Sequence, residues 1–286
     1  MEKTCIFCNS SEFKVVFREI KADIVRCKKC GHIFSTWNQP QDYDAYFGNT
    51  VEDINQETIF WFSDAHRLMY NQFCQRFIKK SSGRLLDFGC GLGYFLKEMS
   101  NFPQWDSWGC EISPVAVNFA KKRLGLNKIV CSKIQNLGFA KESFDIITLW
   151  DVIEYIPDPW PILYCLYNLL KPKGMLFLHT PNIHIQLPIA RLTKMLFGLR
   201  KDFHYLEATD HIHHYSADTI TKLLKQVEFE RIVFHHFVPI QGVAGSKSKT
   251  LIFLKNLWYY SSVLLFYSSL KKINLDNLFV AAYKSA

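Results

Sequence analysis

Three glycines at alternate positions, Gly89, Gly91 and Gly93, separate a short apolar stretch, Arg84-Leu85-Leu86-Asp87-Phe88, from a helical pattern that runs from Gly91 to Ser100. No other feature restricts the fold of this chain as strongly. Glycine lets the backbone turn sharply and leaves room for a ligand to lie against it. A helix that starts there aims free N–H groups at that ligand. Asp87 stands two residues before the first glycine, and a second acid, Glu111, follows the next apolar stretch, 18 residues after Gly93. A carboxylate in that place can accept two hydrogen bonds from a ribose diol. The plainer alternative for Glu111 is a negative charge at a helix start, next to Ser113.

Strand-like and helix-like patterns then alternate. Trp105 to Cys110 reads as a second strand, and Ser113-Pro114 opens a helix with serine as N-cap and proline at the first helical position. Lys128 to Cys131 is a third strand. Phe144 to Trp150 is a fourth, apolar nearly throughout, as a strand covered on both faces should be. A helix spans about Asp158 to Leu170, Met175 to His179 is a fifth strand, and Ser216 to Val227 is a helix with a serine cap. Phe229 to Phe237 and Leu278 to Tyr283 are the last strands. This alternation predicts an α/β fold, a Rossmann-like seven-stranded, mostly parallel sheet with helices on both faces. Of 286 residues, 49% are hydrophobic, which supplies a full core and excludes a disordered chain. The expected division is a small module at 1-36, a linker and helical arm at 37-80, and the α/β domain at 81-286 with insertions near 183-210 and 240-274.

Four of the nine cysteines form two close pairs, Cys5-x2-Cys8 and Cys27-x2-Cys30, separated by 18 residues. Each pair makes a tight knuckle, and four thiolates close a tetrahedral site with no open position. The first module therefore reads as a small N-terminal four-cysteine zinc ribbon with structural Zn2+. A redox role fits less well, because neither pair opens a thioredoxin-like helix. The odd cysteine count and the polar opening Met1-Glu2-Lys3-Thr4 point to a reducing, cytoplasmic setting.

The segment Asp87-Phe88-Gly89-Cys90-Gly91-Leu92-Gly93 resembles motif I of the class I S-adenosylmethionine-dependent methyltransferases. Phe144-Asp145-Ile146-Ile147 through Asp151-Val152-Ile153-Glu154-Tyr155-Ile156-Pro157-Asp158-Pro159, and Leu169-Leu170-Lys171-Pro172-Lys173-Gly174, resemble later segments of the same family. Thr180-Pro181-Asn182 and His211-Ile212-His213-His214-Tyr215-Ser216 are similar to the branch that includes the ubiquinone-pathway O-methyltransferases. The resemblance implies that Asp87 orients the methionine end of S-adenosylmethionine, that Gly89, Cys90, Gly91 and Gly93 shape its bed, and that Glu111 binds the ribose. By the same resemblance Ile112 packs on adenine, while Trp150 and Asp151 border the methionine moiety and the acceptor. The chain departs from the pattern twice. Ser132-Lys133-Ile134-Gln135-Asn136 lacks the acid that often contacts the adenine amino group, and Tyr155 stands where relatives often carry histidine, which puts an active-site metal in doubt.

Methyl transfer from a sulfonium is a direct displacement, and a base is needed only where the acceptor must lose a proton. His211 is the candidate base, with Asp210 to orient it; a purely structural hydrogen-bonding role is the alternative. Ile185 to Lys201 is a basic amphipathic helix, read as a lid on the acceptor pocket or as a peripheral membrane contact, and the apolar stretch Leu251 to Leu270 could pair with it. That stretch holds Lys255, Asn256 and four serines and is followed closely by a strand, which argues against a membrane span. The net charge of +8 is scattered, so no nucleic-acid partner is expected. The expected activity is O-methylation of a small-molecule acceptor: a sugar, lipid-linked or quinone-like precursor. The rivals are a sugar C- or N-methyltransferase and a non-catalytic cofactor-binding, zinc-ribbon interaction protein.

Overall fold

The computed structural model describes residues 4–39, 46–133, 137–200, 205–237, 249–271 and 273–286. Residues 134–136 of the adenine-side stretch and the beginning of the second insertion, 240–248, lie outside the described residues.

The N-terminal module is an antiparallel meander of β1 (Phe13–Arg18), β2 (Asp23–Cys27) and β3 (Ile33–Ser35). The arm follows with a short 3-10 turn at Val51–Asp53, α1 (Gln56–Phe60), a π turn at Trp61–Ala65, α2 (Arg67–Phe73) and a second π turn at Cys74–Ile78. The α/β unit then runs β4 (Gly83–Phe88), α3 (Tyr94–Met99), β5 (Trp105–Glu111), α4 (Pro114–Leu124), β6 (Ile129–Cys131), β7 (Phe144–Trp150), α5 (Pro159–Leu169), β8 (Leu170–Thr180) and α6 (Ile183–Phe197). It closes with β9 (His213–His214), α7 (Ala217–Gln226), β10 (Arg231–His235), α8 (Lys249–Ser268) and β11 (Leu278–Tyr283).

Seven strands form one sheet in the order β10-β11-β8-β7-β4-β5-β6. Neighbours from β8 to β6 are parallel, and β11 is inserted antiparallel between β8 and β10. The order of the parallel strands reverses at β4, and in open α/β sheets the crevice at such a reversal is where ligands bind. The predicted Rossmann-like sheet is therefore observed. Strand alternation sorts its two faces. Leu86, Ile147, Leu149, Leu176 and Leu178 pack with α5 and α7, while Leu85, Ile146, Met175 and Phe177 pack with Met69, Tyr70 and Phe73 of α2 and with Phe95 of α3. The arm is thus a structural layer of the sheet. At roughly 1.5–3 kcal/mol for each large apolar side chain fully removed from water, the α2 residues are enough to keep it seated. The cap at α4 is as expected, with Ser113 accepting from Ala116 N–H and Pro114 at the first position.

The N-terminal module does not stand alone. β3 pairs with β9, so the ribbon sheet takes its fourth strand from the α/β unit. Glu19 accepts the N–H groups of Leu206 and Ala208 at 2.7 and 3.0 Å, and Ser35 Oγ donates to Ala208 O. Helix α6 buries Ile183, Leu187 and Ala190 against Phe17, Ala22, Ile24 and Ile33 of the ribbon. Its cations face the same way: Arg191 donates to Val16 O and Lys194 to Arg18 O. Among the described residues no helix is long and apolar enough to cross a membrane.

Candidate active site

After β4 the chain turns through Gly89, Gly91 and Gly93 at φ of +71°, +51° and +84° before α3 begins. An L side chain disfavours this left-handed backbone. At Gly89 a Cβ would also stand 2.7 Å from Val152 Cγ2. Asp87 is buried below the loop and accepts Thr148 Oγ1 at 2.7 Å. Burial pushes its carboxyl up to about 8 against the pull of that hydrogen bond, and the charge of Glu111 adds to the rise. Glu111 ends β5: its Oε2 accepts Gly91 N–H at 2.8 Å, and its Oε1 accepts the N–H groups of Ile112 and Ser113 at 2.8 and 3.0 Å. One carboxylate therefore ties the glycine loop to the start of α4. Ile112 is half-buried beside it. Cys90 is buried, and burial pushes its thiol far up, so its side chain serves as packing while its N–H donates to Cys110 O.

The arm lies over this loop. From the position a Cβ would take on Gly91, Phe62 Cε1 is 3.1 Å away and Phe47 Cζ 3.7 Å away. Both rings also line a cavity of about 430 Å³ bounded by Tyr46, Ile54 and Trp61.

Past the end of β7, Asp151 holds φ of +51°, a conformation rare for a residue with a side chain. Its Oδ2 lies 3.2 Å from His66 Nε2 and its Oδ1 2.8 Å from His179 Nδ1. The second approach is a close ion-pair contact that falls outside hydrogen-bond direction. Burial raises the Asp151 carboxyl, but the adjacent His179 imidazole and the hydrogen bond with His66 outweigh it, leaving it well below the usual carboxylate range. Glu154, one turn on, behaves oppositely. Burial and the Asp151 charge drive its carboxyl far up, while Thr180 Oγ1 donates to it at 3.0 Å. The two buried carboxyls are thus pushed in opposite directions, as expected where two such groups share a site.

His211 is buried, 4.8 Å edge-to-face from the Tyr155 ring, with Nε2 3.2 Å from Glu207 Oε2. Tyr46 of the arm ties these parts together. Its ring is half exposed and meets the Tyr155 ring edge-to-face at 6.3 Å, and partial desolvation, with the charges of Glu207, Asp210 and Asp151, raises its phenol. His213 and His214 are buried. His213 Nε2 donates to Pro157 O at 3.0 Å, so its Nδ1 accepts from His32 Nε2 of the ribbon at 3.1 Å.

Four thiols meet in the ribbon. Cys5 and Cys30 sulfurs are 3.4 Å apart, Cys8 and Cys27 sulfurs 3.5 Å, and all four ligand atoms lie within 4.8 Å of one another. Sulfurs bound tetrahedrally at about 2.3 Å stand about 3.8 Å apart, so the cluster has the dimensions of a metal site. Burial opposes ionisation of Cys27, but the Cys30 backbone N–H, the Cys8 thiol and the Lys29 backbone N–H bring it down to about 7, whereas burial pushes the Cys5 and Cys30 thiols up.

The structure brings Asp87, Gly89, Cys90, Gly91, Gly93, Glu111 and Ile112 into one bed, with Asp151 beyond it. Two expectations need correction. The Trp150 ring is buried among Tyr70, Phe73, Phe95 and Phe177 and does not border the cleft, because β7 alternation sends it into the arm-side core. The carboxylate paired with His211 is Glu207 at i−4, in place of the proposed orienting role of Asp210. His179, buried in β8, presses on Asp151, and its Nε2 has no partner among the described residues. Sequence reasoning passed over His66, Tyr46 and Glu207. Only Glu207 had a local signal, its helical spacing from His211.

A family model described as a methyltransferase domain matches residues 61–233, more than half of the chain. Among curated relatives, the ubiquinone biosynthesis O-methyltransferase of Neisseria meningitidis serogroup C (strain 053442) is 31% identical over 105 residues, covering 35% of this chain and 44% of that protein. The protein of the same description from Glaesserella parasuis serovar 5 (strain SH0165) is 29% identical over 171 residues, covering 55% and 70%. The chain thus spans less than half the length of the first of these relatives. Two solved structures share the fold. One is a chain of the Haloferax volcanii complex of the Trm112 methyltransferase activator with a methyltransferase (TM-score 0.59, 12% identity, 87% of this chain and 100% of that one). The other is Haemonchus contortus phosphoethanolamine N-methyltransferase 2 in complex with S-adenosyl-L-methionine (TM-score 0.51, 17% identity, 87% and 61%). The family match, falling on the glycine loop, Glu111 and the turn after β7, makes this chain a member of the class I S-adenosylmethionine-dependent methyltransferase family.

Proposed function

We propose that this protein transfers the methyl group of S-adenosylmethionine to a hydroxyl of a small-molecule acceptor, a quinone-like, lipid-linked or sugar precursor. The observation that carries this reading is the convergence of Asp151, Tyr155, Tyr46 and the His211–Glu207 pair next to the glycine bed. The substrate sulfonium supplies an activated methyl group, and displacement depends on holding donor and acceptor in line. Asp87 faces the methionine amino end, the loop from Gly89 to Gly93 supports the chain, Glu111 takes the ribose hydroxyls and Ile112 packs on adenine. His211 accepts the hydroxyl proton and Glu207 fixes its ring, while Asp151 hydrogen-bonds the acceptor. The relatives described as ubiquinone biosynthesis O-methyltransferases favour oxygen as the acceptor atom. Exposed apolar side chains on α6 (Leu192, Met195, Phe197) and α8 (Phe253, Trp258, Leu264) favour a lipid-linked acceptor met at a membrane surface. Cys5, Cys8, Cys27 and Cys30 hold a structural Zn2+ that braces the acceptor side through β3 and β9.

The test is methyl release from labelled S-adenosylmethionine by the full chain, offered catechol-type quinone precursors, lipid-linked phenols and nucleotide sugars, with products identified by mass spectrometry. An O-methyl product that drops by about 100-fold or more in His211→Ala supports the assignment. A C- or N-methyl product refutes the oxygen acceptor, and absence of affinity for S-adenosylhomocysteine refutes the whole reading.

A further inference from the structure

His66 comes from the arm, 85 residues before the carboxylate it meets. It is buried, and its environment is fully specified. Nδ1 faces Trp61 O, Nε2 faces Asp151 Oδ2 at 3.2 Å, and the ring stacks on Tyr70 at 5.7 Å and meets Trp61 edge-on at 5.0 Å. Both nitrogens face oxygens, so both bonds form only with a proton on each. On the other side, His179 presses on Asp151 from β8, and Phe279 stacks on the His179 ring at 4.5 Å. Asp151 itself keeps a quarter of its side chain exposed between two almost fully buried imidazoles. The same arm places Phe62 and Phe47 on Gly91, in the cofactor bed.

We infer that His66 is a positioning residue for methyl transfer: it locks the arm onto Asp151, so that covering the glycine loop with Phe47 and Phe62 and fixing the acceptor-side carboxylate are one event. This rests on the proposed methyltransferase reading. Asp151 has a left-handed backbone and projects from a turn, so two imidazoles on opposite oxygens define its direction where the backbone alone would not. Replacing His66 removes no contact made by Asp87 or Glu111, so its effect falls on arm seating and turnover and reaches the cofactor only through the loosened cover of Phe47 and Phe62.

The experiment compares the full chain with His66→Ala, His66→Gln and Asp151→Asn by hydrogen exchange, S-adenosylhomocysteine calorimetry and steady-state kinetics. Exchange over residues 46–66 is expected to quicken at least tenfold in His66→Ala and Asp151→Asn alike, with S-adenosylhomocysteine affinity of His66→Ala changed by less than about fivefold. Turnover in His66→Ala is expected to fall at least 30-fold with little change in KM for the acceptor, and glutamine, which keeps an N–H donor, restores part of both exchange protection and turnover. Arm exchange that matches the wild type in His66→Ala overturns the inference. So does a fall in turnover that glutamine does not relieve. If the wild type binds no S-adenosylhomocysteine, the methyltransferase reading fails on that measurement alone, while the exchange comparison still decides whether His66 and Asp151 seat the arm.

Discussion

Gly91 N–H donates to Glu111 Oε2 across 2.8 Å, joining the middle of the glycine loop to the end of the neighbouring strand. The same carboxylate accepts from Ile112 and Ser113, so it organises the loop and the α4 start before any ribose arrives. Glu111→Gln turns one acceptor oxygen into an N–H donor facing backbone N–H groups. Leaving a buried donor without its acceptor costs about 1–3 kcal/mol. We expect a lower Tm and at least a tenfold weaker Kd for S-adenosylhomocysteine, read by thermal denaturation and calorimetry. Unchanged values in both would mean that the loop does not depend on this carboxylate.

With Asp87 in its proposed role, cofactor binding should depend on pH. With its carboxyl raised to about 8, the folded chain holds a proton that the unfolded chain has released. This group's contribution to stability is therefore complete below about pH 4 and is lost as pH rises from about 4 to about 8. The cationic methionine end of the cofactor favours the carboxylate, so binding below about pH 8 should expel a proton and tighten as pH rises, by at most about tenfold per unit. Calorimetry in buffers of different ionisation enthalpy reads that proton directly, and Asp87→Asn should abolish it.

Gly89→Ala tests the turn. A Cβ there meets Val152 in a backbone conformation at φ +71°, whereas Gly138, at φ +68°, has nothing within 4 Å of its Cβ position. The αL penalty of about 1–2 kcal/mol applies to both. The clash applies only at Gly89 and brings its cost to about 2–4 kcal/mol. Denaturant unfolding should rank them in that order, and only Gly89→Ala should lose affinity for S-adenosylhomocysteine.

Removing metal from the ribbon should be felt at a distance. Cys27→Ser is expected to abolish stoichiometric zinc, measured by elemental analysis, and to speed hydrogen exchange over residues 205–214, which Glu19, Ser35, His32 and β3 all hold. Binding of S-adenosylhomocysteine should survive, since no ribbon residue touches the glycine loop contacts described. Protection of residues 205–214 unchanged in the zinc-free variant would separate the ribbon from the acceptor side.

What the sequence made legible was local. The glycine spacing, the Ser113-Pro114 cap, the two cysteine pairs and the strand patterns each declare themselves within a few residues, because turns, caps and knuckles are short-range physics. The fold followed, since strands separated by helices admit few arrangements. The acceptor side was much less legible. His66 meets Asp151 only because α2 packs on the sheet, and no spacing between residues 85 apart announces that. Trp150 was misplaced because the motif gave its position along β7, while the direction of its ring depended on which face the arm covers. The cations of α6 read as a membrane or lid feature, and two of them turned out to bind ribbon carbonyls.

The pairing of Ile33 and Phe34 with His214 and His213 also sets an order of events during synthesis. A ribosome delivers β3 long before it delivers β9, so the nascent ribbon has one unfilled edge until most of the chain has emerged. Its four thiols are together early, but the edge of its sheet is covered only when His213 and His214 arrive.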